Sequence, residues 1–219
     1  MNYSKIRLTA PARVPIDCDI REPEQPRQAI ILLHGYSETG GKMLRRLGTV
    51  LPQDALILAP NAPFPQVLAR NEIGYEIGFS WYFHDPQKDE YFIDMEVALS
   101  CLSEVIARKV PAGLRITLIG FSQGGYLAPF VASREASRVK RVIGIGCQFL
   151  DEELVSPLGF EIHGIHGEED DVVNAAVSQR SHEKLILAGA RGGTYALLPG
   201  VGHRITHEVQ AEVARILSD

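Results

Sequence analysis

Residues 118–128 read "LIGFSQGGYLA" and place a serine between glycines directly after an apolar run. The run itself starts as "RITLIGF" at 115–121, and a helix-compatible stretch follows the serine. The segment "GFSQG" at 120–124 fits the G-x-S-x-G pattern, in which a sharp strand-to-helix turn holds a serine hydroxyl in the open. Such a turn leaves no space for side chains two positions before or after the serine, which explains both glycines. The alternative is an ordinary glycine-rich turn that only needs small residues.

Short apolar runs of this kind recur along the chain, and helical patterns separate them. The runs are continuous rather than alternating, as expected of strands that are covered on both faces. Strand alternating with helix predicts an α/β fold with a mostly parallel central sheet and helices on both faces. The predicted strands are 29–34, 55–60, 115–121, 141–146, 161–167 and 194–200, and the predicted helices are 42–51, 91–109, about 123–136, about 174–188 and 206–217.

Length and composition indicate one globular domain over residues 1–219, because 45 % of the residues are hydrophobic and 22 % are charged. The net charge of −5 and the lack of a long Lys/Arg cluster argue against nucleic acid as a partner. No apolar stretch is long enough for integral membrane association, and the first 20 residues lack the apolar core of a signal peptide, so we expect a cytoplasmic protein. Cys18, Cys101 and Cys147 are far apart, which favours buried free thiols over a disulfide frame or a zinc site.

Two segments depart from the alternation of strand and helix. The chain before residue 28 is less regular, and we expect an antiparallel edge hairpin around 5–20. Residues 61–90 show no regular period, yet they hold six of the chain's 16 Phe, Trp and Tyr residues. A solvated linker would not carry so much apolar area, so we expect a long loop that folds back on the body and walls a pocket.

A serine hydroxyl is a poor nucleophile at neutral pH, so Ser122 would need a base and an orienting acid later in the chain. His203 comes last in that order, after a predicted strand and the small residues "GVG". The strand 161–167 is followed by the acidic run Glu168–Asp171, and position alone does not choose among its four carboxylates. Because parallel strands end at one edge of a sheet, we expect these groups to meet there. The backbone N–H of Gln123, at the start of the following helix, is a candidate oxyanion donor.

Six short motifs in order resemble the landmarks of the phospholipase/carboxylesterase family of α/β-hydrolases, which includes the acyl-protein thioesterases. The resemblance extends from about residue 28 to the end of the chain. It implies an α/β-hydrolase fold without a large separate cap, and a serine hydrolase that needs no metal or organic cofactor. The motifs are "LLHGYSETG" at 32–40, "SWYF" at 80–83, "GFSQGG" at 120–125, "GIGCQFL" at 144–150, "HGEEDDVV" at 166–173 and "GVGH" at 200–203.

The resemblance also implies roles for individual residues. Carried over position by position, it implies a catalytic triad of Ser122, Asp170 and His203, which selects Asp170 from the acidic run. It further implies an oxyanion hole formed by the backbone N–H groups of Tyr36 and Gln123. Aromatic side chains near such a site line an acyl pocket or simply fill a core, and both interpretations stay open here. The substrate-binding residues that the resemblance implies are Trp81, Tyr82, Gln148, Phe149 and Leu150.

The chain departs from the family pattern at positions that leave the triad intact. Tyr36-Ser37-Glu38 stands where members commonly carry a small apolar residue or leucine and then Gly-Asp, while Asp171 replaces a proline and Arg204 a serine.

We expect hydrolysis of a small-molecule carboxylic ester or thioester, and a homodimer is compatible with the sequence. The alternatives are an acyltransferase or peptidase that uses the same triad, and a non-catalytic ligand-binding module.

Overall fold

A seven-stranded sheet forms the centre of the computed structural model, which describes residues 13–72, 74–85, 87–150, 154 and 158–218. The strands of the chain are β1 (Cys18–Arg21), β2 (Gln28–Leu33), β3 (Ala55–Pro60), β4 (Phe64–Asn71), β5 (Gly74–Ser80), β6 (Phe83–Asp85), β7 (Glu90–Ile93), β8 (Ile116–Phe121), β9 (Val139–Ile145), β10 (Glu161–Gly167) and β11 (Tyr195–Leu198). The central sheet has the order β1-β3-β2-β8-β9-β10-β11, and neighbours are parallel except β1 with β3. The predicted mostly parallel α/β fold is confirmed.

Helices cover both faces of this sheet, and each face has its own apolar core. Because successive strand residues point to opposite faces, Ile31 and Leu33 of β2 join one core and Ile30 and Leu32 join the other. The first core contains residues of α2, α3 and α4, and the second contains residues of α1 and α5. The helices are α1 (Gly40–Leu47), α2 (Glu96–Lys109), α3 (Gln123–Arg134), α4 (Ala175–Leu187) and α5 (His207–Ser218).

The predicted helix 91–109 is the element whose boundary differs most from the structure. The helix begins only at Glu96, because β7 (Glu90–Ile93) pairs with β6 as a hairpin. The carboxylate of Asp94 accepts the Glu96 N–H at 3.0 Å. A side-chain acceptor of this kind satisfies one of the unpaired amides at a helix start. The spacing of apolar residues does not reveal this stop, since the hairpin partner lies earlier in the chain.

The prediction that residues 61–90 form a loop without regular structure is wrong for most of that segment. β4 and β5 form a long antiparallel hairpin, and β6 and β7 form a shorter one. In β4, Pro65 and a register shift between Val67 and Ala69 interrupt the alternation that would mark a strand in the sequence. The β4–β5 hairpin ends at the buried residue Ser80, and the buried residue Trp81 follows it.

The remaining predictions concern the N-terminal edge, the cysteines and the membrane. An antiparallel edge strand is present as β1, whereas residues 5–12 of the predicted hairpin lie outside the described residues. Cys147 is buried, and Cys18 and Cys101 are half-buried free thiols. Burial raises the pKa of Cys18 to about 11. Within the described ranges, no helix has both the length and the apolar character needed to cross a membrane.

Candidate active site

Ser122 lies directly after β8 and at the start of α3, at the carboxyl edge of the sheet. Its backbone has φ 49° and ψ −119°, a conformation that costs a residue with a Cβ about 1–3 kcal/mol. The glycines two positions away make this turn sterically allowed. A Cβ on Gly120 would lie 2.3 Å from the carbonyl oxygen of Gly124, and a Cβ on Gly124 would lie 2.2 Å from that of Leu33. The sharp strand-to-helix turn expected from the sequence is present.

The imidazole of His203 lies between the serine hydroxyl and a carboxylate. Its Nε2 is 3.0 Å from Ser122 Oγ, and its Nδ1 is 2.8 Å from Asp170 Oδ2. The ring packs against the ring of Phe121, with the centroids 5.0 Å apart. The structure therefore brings together three residues that follow β8, β10 and β11, in an arrangement that can activate a serine as a nucleophile.

The Asp170 side chain is only 1 % exposed, and it is held by the backbone of its own loop. Its Oδ1 accepts the N–H of Val172 at 2.9 Å and that of Val173 at 2.8 Å. Burial by itself raises the pKa of Asp170, but the hydrogen bonds from Val173, His203 and Val172 outweigh it and lower the pKa. The carboxylate is therefore ionised at neutral pH, and it can stabilise a positive charge on the imidazole.

Burial distinguishes Asp170 from its acidic neighbours. Glu168, Glu169 and Asp171 are all exposed, as expected of charges that remain solvated. Position in the sequence leaves these four residues equivalent, whereas in the structure Asp170 alone among the four turns toward the interior.

A tight turn from Gly35 to Glu38 follows β2. Glu38 N–H donates to Gly35 O at 3.2 Å, and Ser37 has φ 58°, as the third residue of a type II turn requires. The Glu38 carboxylate accepts the Gly35 N–H at 3.3 Å and forms ion pairs with Lys42 and Arg46. Burial opposes ionisation of Glu38, yet the hydrogen bond from Lys42 and the charges of Arg46 and Lys42 lower its pKa.

Tyr36 lies within this turn, and Gln123 is the first residue of α3. Because Leu33 of β2 pairs with Gly120 of β8, the two residues stand three positions beyond a paired position in neighbouring strands. Neither backbone N–H has a protein hydrogen-bond partner within the described part of the chain. Such unpaired amides at a helix start and in a turn suit a negatively charged oxygen.

The side chain of Gln123 fastens the start of α3 to the segment that follows β5. Its Oε1 accepts the Trp81 backbone N–H and its Nε2 donates to Tyr82 O, both at 2.9 Å. The Trp81 indole N–H donates to His34 O at 2.8 Å, and its ring lies 4.9 Å from the His34 ring. The carboxyl end of β2 and the start of α3 are therefore linked through one aromatic residue.

His34 is fully buried, and its contacts specify one neutral form. Its Nε2 accepts the Ala62 N–H at 3.0 Å, so Nδ1 carries the hydrogen and donates to Gly35 O at 2.7 Å. Burial lowers the pKa of His34 to about 4, although the hydrogen bond to Gly35 acts in the opposite direction. The ring supports the turn that contains Tyr36 while remaining uncharged.

Comparison with known proteins identifies the family. Residues 17–218 match the phospholipase/carboxylesterase family. The chain belongs to this family. The match confirms the family that the sequence motifs indicated, together with the α/β-hydrolase fold and the hydrolase class.

Relatives of this chain include an esterase and an acyl-protein thioesterase. The chain is 23 % identical over 201 residues to acyl-protein thioesterase 1 homolog 2 of Dictyostelium discoideum. The alignment covers 84 % of this chain and 89 % of that protein. It is 25 % identical over 195 residues to esterase YpfH of Escherichia coli strain K12, and the alignment covers 85 % of this chain and 80 % of that protein. Acyl-protein thioesterase 2 of Zea mays has a similar fold, with a TM-score of 0.75 at 20 % identity over 92 % of this chain and 97 % of that chain. Esterase PE8 also has a TM-score of 0.75, at 25 % identity over 94 % of this chain and 99 % of that chain.

The residues expected to line an acyl pocket fall into two groups. Trp81 and Phe149 are each 1 % exposed and Tyr82 is also buried, and all three pack in the core on the α2, α3 and α4 face. Gln148 and Leu150 are half-buried, and Leu150 borders a cavity of about 250 Å³. The buried aromatic side chains fill the core in the described conformation, which is the alternative that the sequence left open. Their contact with substrate stays a prediction.

One hydrogen-bonded link and one further contact near the site are missed by reasoning from the sequence. Ser37 Oγ donates to Gln66 Oε1 at 3.0 Å and Gln66 Nε2 donates to Ser80 Oγ, which links the turn after β2 to the β4–β5 hairpin. His166 Nε2 lies 3.3 Å from Asp170 Oδ2. The position of "HG" four residues before the acid is the one signal of that second contact.

The described residues also bear on metal binding. Among them, no three His, Cys, Asp or Glu side chains are grouped as a metal site would require. The expectation that the chain needs neither a metal nor an organic cofactor stays a prediction.

Proposed function

We propose that this chain is a serine hydrolase that cleaves carboxylic esters or thioesters through an acyl-serine intermediate. The row of contacts from Ser122 Oγ through His203 to Asp170 Oδ2, at 3.0 and 2.8 Å, carries the proposal. His203 Nε2 accepts the hydroxyl proton as Oγ bonds to the substrate carbonyl carbon. Asp170 keeps the Nδ1 hydrogen in place and stabilises the imidazolium that forms.

The negative charge that develops on the carbonyl oxygen needs donors that are already in place. The proposed donors are the backbone N–H groups of Tyr36 and Gln123, neither of which has a protein acceptor in the described part of the chain. The start of α3 adds the positive end of its dipole. Loss of one such donor typically costs about 3–4 kcal/mol of transition-state stabilisation.

The acyl-serine intermediate forms and breaks by proton transfers through one base. As the first tetrahedral intermediate collapses, His203 Nε2–H protonates the leaving alcohol or thiol. The imidazole then accepts a proton from water, whose oxygen bonds to the acyl carbon. Collapse of this second intermediate releases the carboxylic acid and returns the proton to Ser122 Oγ.

The names of the relatives support this substrate class, because one is an acyl-protein thioesterase and another an esterase. An acyltransferase or a peptidase would use the same three side chains with a different acceptor or a different acyl bond. A ligand-binding module would share the fold without turning over an ester. The experiment that follows separates the hydrolase from the ligand-binding module.

Hydrolysis of p-nitrophenyl esters of increasing acyl length tests the proposal directly. We expect turnover by the wild type and a loss in kcat of about 10³-fold or more in Ser122→Ala. Ser100→Ala, which alters an exposed serine on α2, should keep the wild-type rate. Acyl thioesters of matched length then rank thioester against oxygen ester. Absent turnover, or an equal rate in Ser122→Ala, would contradict the proposal.

The finer predictions about location, assembly and pocket belong to this proposal as well. We propose a cytoplasmic enzyme that contains one domain over 1–219 and contacts its acyl chain through Trp81, Tyr82, Gln148, Phe149 and Leu150. A homodimer would be seen as twice the chain mass in light scattering after gel filtration. Fractionation of cells that produce the protein tests the location. Dependence of rate on acyl length in Leu150→Ala tests the pocket.

A further inference from the structure

His166 is a second histidine in contact with Asp170, and the proposed reaction does not use it. The residue lies near the end of β10, and its side chain is 1 % exposed. Its Nε2 is 3.3 Å from Asp170 Oδ2 and 2.9 Å from Val173 O. One ring nitrogen therefore faces both the proposed catalytic carboxylate and the loop that carries it.

The neighbours of Nε2 define which nitrogen of the His166 ring carries the hydrogen. A carbonyl oxygen and an ionised carboxylate accept hydrogen bonds and donate none, so Nε2 must carry the hydrogen. The His166 N–H donates to Val173 O at 2.9 Å, and Asp170 Oδ2 lies 3.3 Å from the same nitrogen. Nδ1 is buried and has no hydrogen-bond partner in the described part of the chain. A hydrogen on Nδ1 would be a buried donor without an acceptor.

The two oxygens of Asp170 are held from different sides. Oδ1 accepts the N–H groups of Val172 and Val173, and Oδ2 faces both His203 at 2.8 Å and His166 at 3.3 Å. If the His166 donor is absent, the Oδ1 contacts remain, but the carboxylate can rotate about them. The 2.8 Å contact with His203 would then be the remaining side-chain contact that orients Oδ2 within the described part of the chain.

We infer that His166 is a positioning residue, which holds Asp170 Oδ2 and the loop 170–173 in the orientation that His203 requires. The inference rests on the proposed function, because it assigns the contact a consequence for turnover. His166 acts through Asp170 and the loop that carries it.

Three variants test this role. His166→Gln keeps a side-chain N–H close to the position of Nε2, whereas His166→Leu removes the donor and retains apolar volume. His163→Leu is the matched control, because His163 is buried on the opposite face of the same strand. Its Nδ1 contacts Thr194 Oγ1 at 3.0 Å, and Thr194 is no part of the site.

Hydrolysis of a p-nitrophenyl ester provides the kinetic readout. We expect His166→Leu to lower kcat about 10- to 100-fold while KM stays near the wild-type value, because an acid out of line affects the transition state and leaves substrate binding unchanged. His166→Gln and His163→Leu should both keep kcat within about fivefold of the wild type. A kcat in His166→Leu equal to that of the wild type would overturn the inference. So would equal losses in His166→Leu and His166→Gln, or a loss of the same size in His163→Leu.

Proton NMR gives a readout that does not depend on turnover. A hydrogen on His203 Nδ1 that is held by a carboxylate resonates far downfield of other imidazole N–H groups. In a Ser122→Ala background we expect this resonance with His166 or His166→Gln, and its loss by exchange with water in His166→Leu. An unchanged resonance in His166→Leu would overturn the inference. If the wild type hydrolyses no ester but the resonance responds as expected, the proposed function fails and the positioning role stands.

If His166→Leu fails to fold, the two amide variants His166→Asn and His166→Gln provide a second comparison. Asn at position 166 is a shorter amide than Gln and places its N–H near the former Nδ1, away from Asp170. His166→Asn should therefore lose kcat and the resonance, while His166→Gln retains both. Equal behaviour of these two amide variants would contradict the inference.

Discussion

The side-chain amide of Gln123 accepts a hydrogen bond from the Trp81 backbone N–H at 2.9 Å, and the same amide donates to the neighbouring carbonyl of Tyr82 at 2.9 Å. Gln123 is also the residue whose own backbone N–H we propose as an oxyanion donor. The side chain therefore fixes the position of its own backbone relative to the segment that follows β5. All three residues are buried, so water does not replace these contacts readily.

Gln123→Leu should destabilise the fold by about 2–4 kcal/mol, because it leaves the Trp81 N–H and the Tyr82 carbonyl buried without partners. Urea unfolding followed by tryptophan fluorescence measures this difference. Gln179→Leu, at an exposed position of α4, should change the free energy of unfolding by about 0.5 kcal/mol or less. Equal unfolding midpoints for Gln123→Leu and the wild type would show that the amide contacts contribute little.

Ser122→Gly should be more stable than Ser122→Ala by about 1 kcal/mol. The backbone of Ser122 has φ 49°, which glycine adopts without strain and alanine does not. Greater freedom of glycine in the unfolded chain reduces the difference but does not cancel it. Thermal unfolding of the two variants checks the order, and neither should hydrolyse ester. The reverse order would mean that this turn relaxes when the serine side chain is lost.

Gly124→Ala should destabilise the protein by at least about 2 kcal/mol, since the new Cβ would lie 2.2 Å from the Leu33 carbonyl oxygen. The backbone there belongs to two buried elements and cannot move aside without separating β2 from α3. Gly113→Ala is the control, because a Cβ on Gly113 meets nothing within 4 Å. Its free energy of unfolding should stay within about 0.5 kcal/mol of the wild type. Similar values for the two variants in urea unfolding would contradict the steric argument.

His34 should make the protein less stable as the pH falls from about 6.5 to about 4. Its pKa is 6.5 in its ordinary state and about 4 in the fold, so within this window the unfolded chain binds a proton that the folded chain rejects. At about 1.4 kcal/mol per pH unit, the expected loss from this residue is about 3 kcal/mol.

The measurement is urea unfolding at several pH values for the wild type and His34→Gln. The variant should be less stable near pH 7.5 but lose less stability on acidification. His207→Gln, which alters an exposed histidine, should follow the pH dependence of the wild type. Parallel curves for His34→Gln and the wild type would show that His34 titrates normally in the fold.

Several parts of the molecule could be predicted because their signal is local. The run "RITLIGF", the glycines around Ser122 and the start of α3 are neighbours in the chain, and their spacing alone predicts strand, turn and helix. The central strands were equally visible, because a strand covered on both faces must be apolar along its whole length. The β4–β5 hairpin was not visible, because Pro65 and the bulge after Val67 interrupt its pattern.

The candidate active site also has some features that the sequence indicates and others that only the folded chain shows. Order along the chain pointed to Ser122 and His203, yet it left the acid undecided among four adjacent carboxylates. The family resemblance chose Asp170, and burial of that side chain beside exposed neighbours is a property of the folded chain. The contact of His166 with the same carboxylate had no separate signal beyond its spacing.

The sequence by itself determined most of the central strands and the existence of the five helices, where the serine turn lies and which family the chain resembles. These properties depend on residues close together in the chain, whose spacing has the period of the element they form. Only the tertiary structure decided that Trp81 packs in the core, that Gln123 holds it there and that two histidines meet one carboxylate. Those contacts join residues from separate strand ends and loops, and their geometry exists only after the sheet has aligned its carboxyl edge.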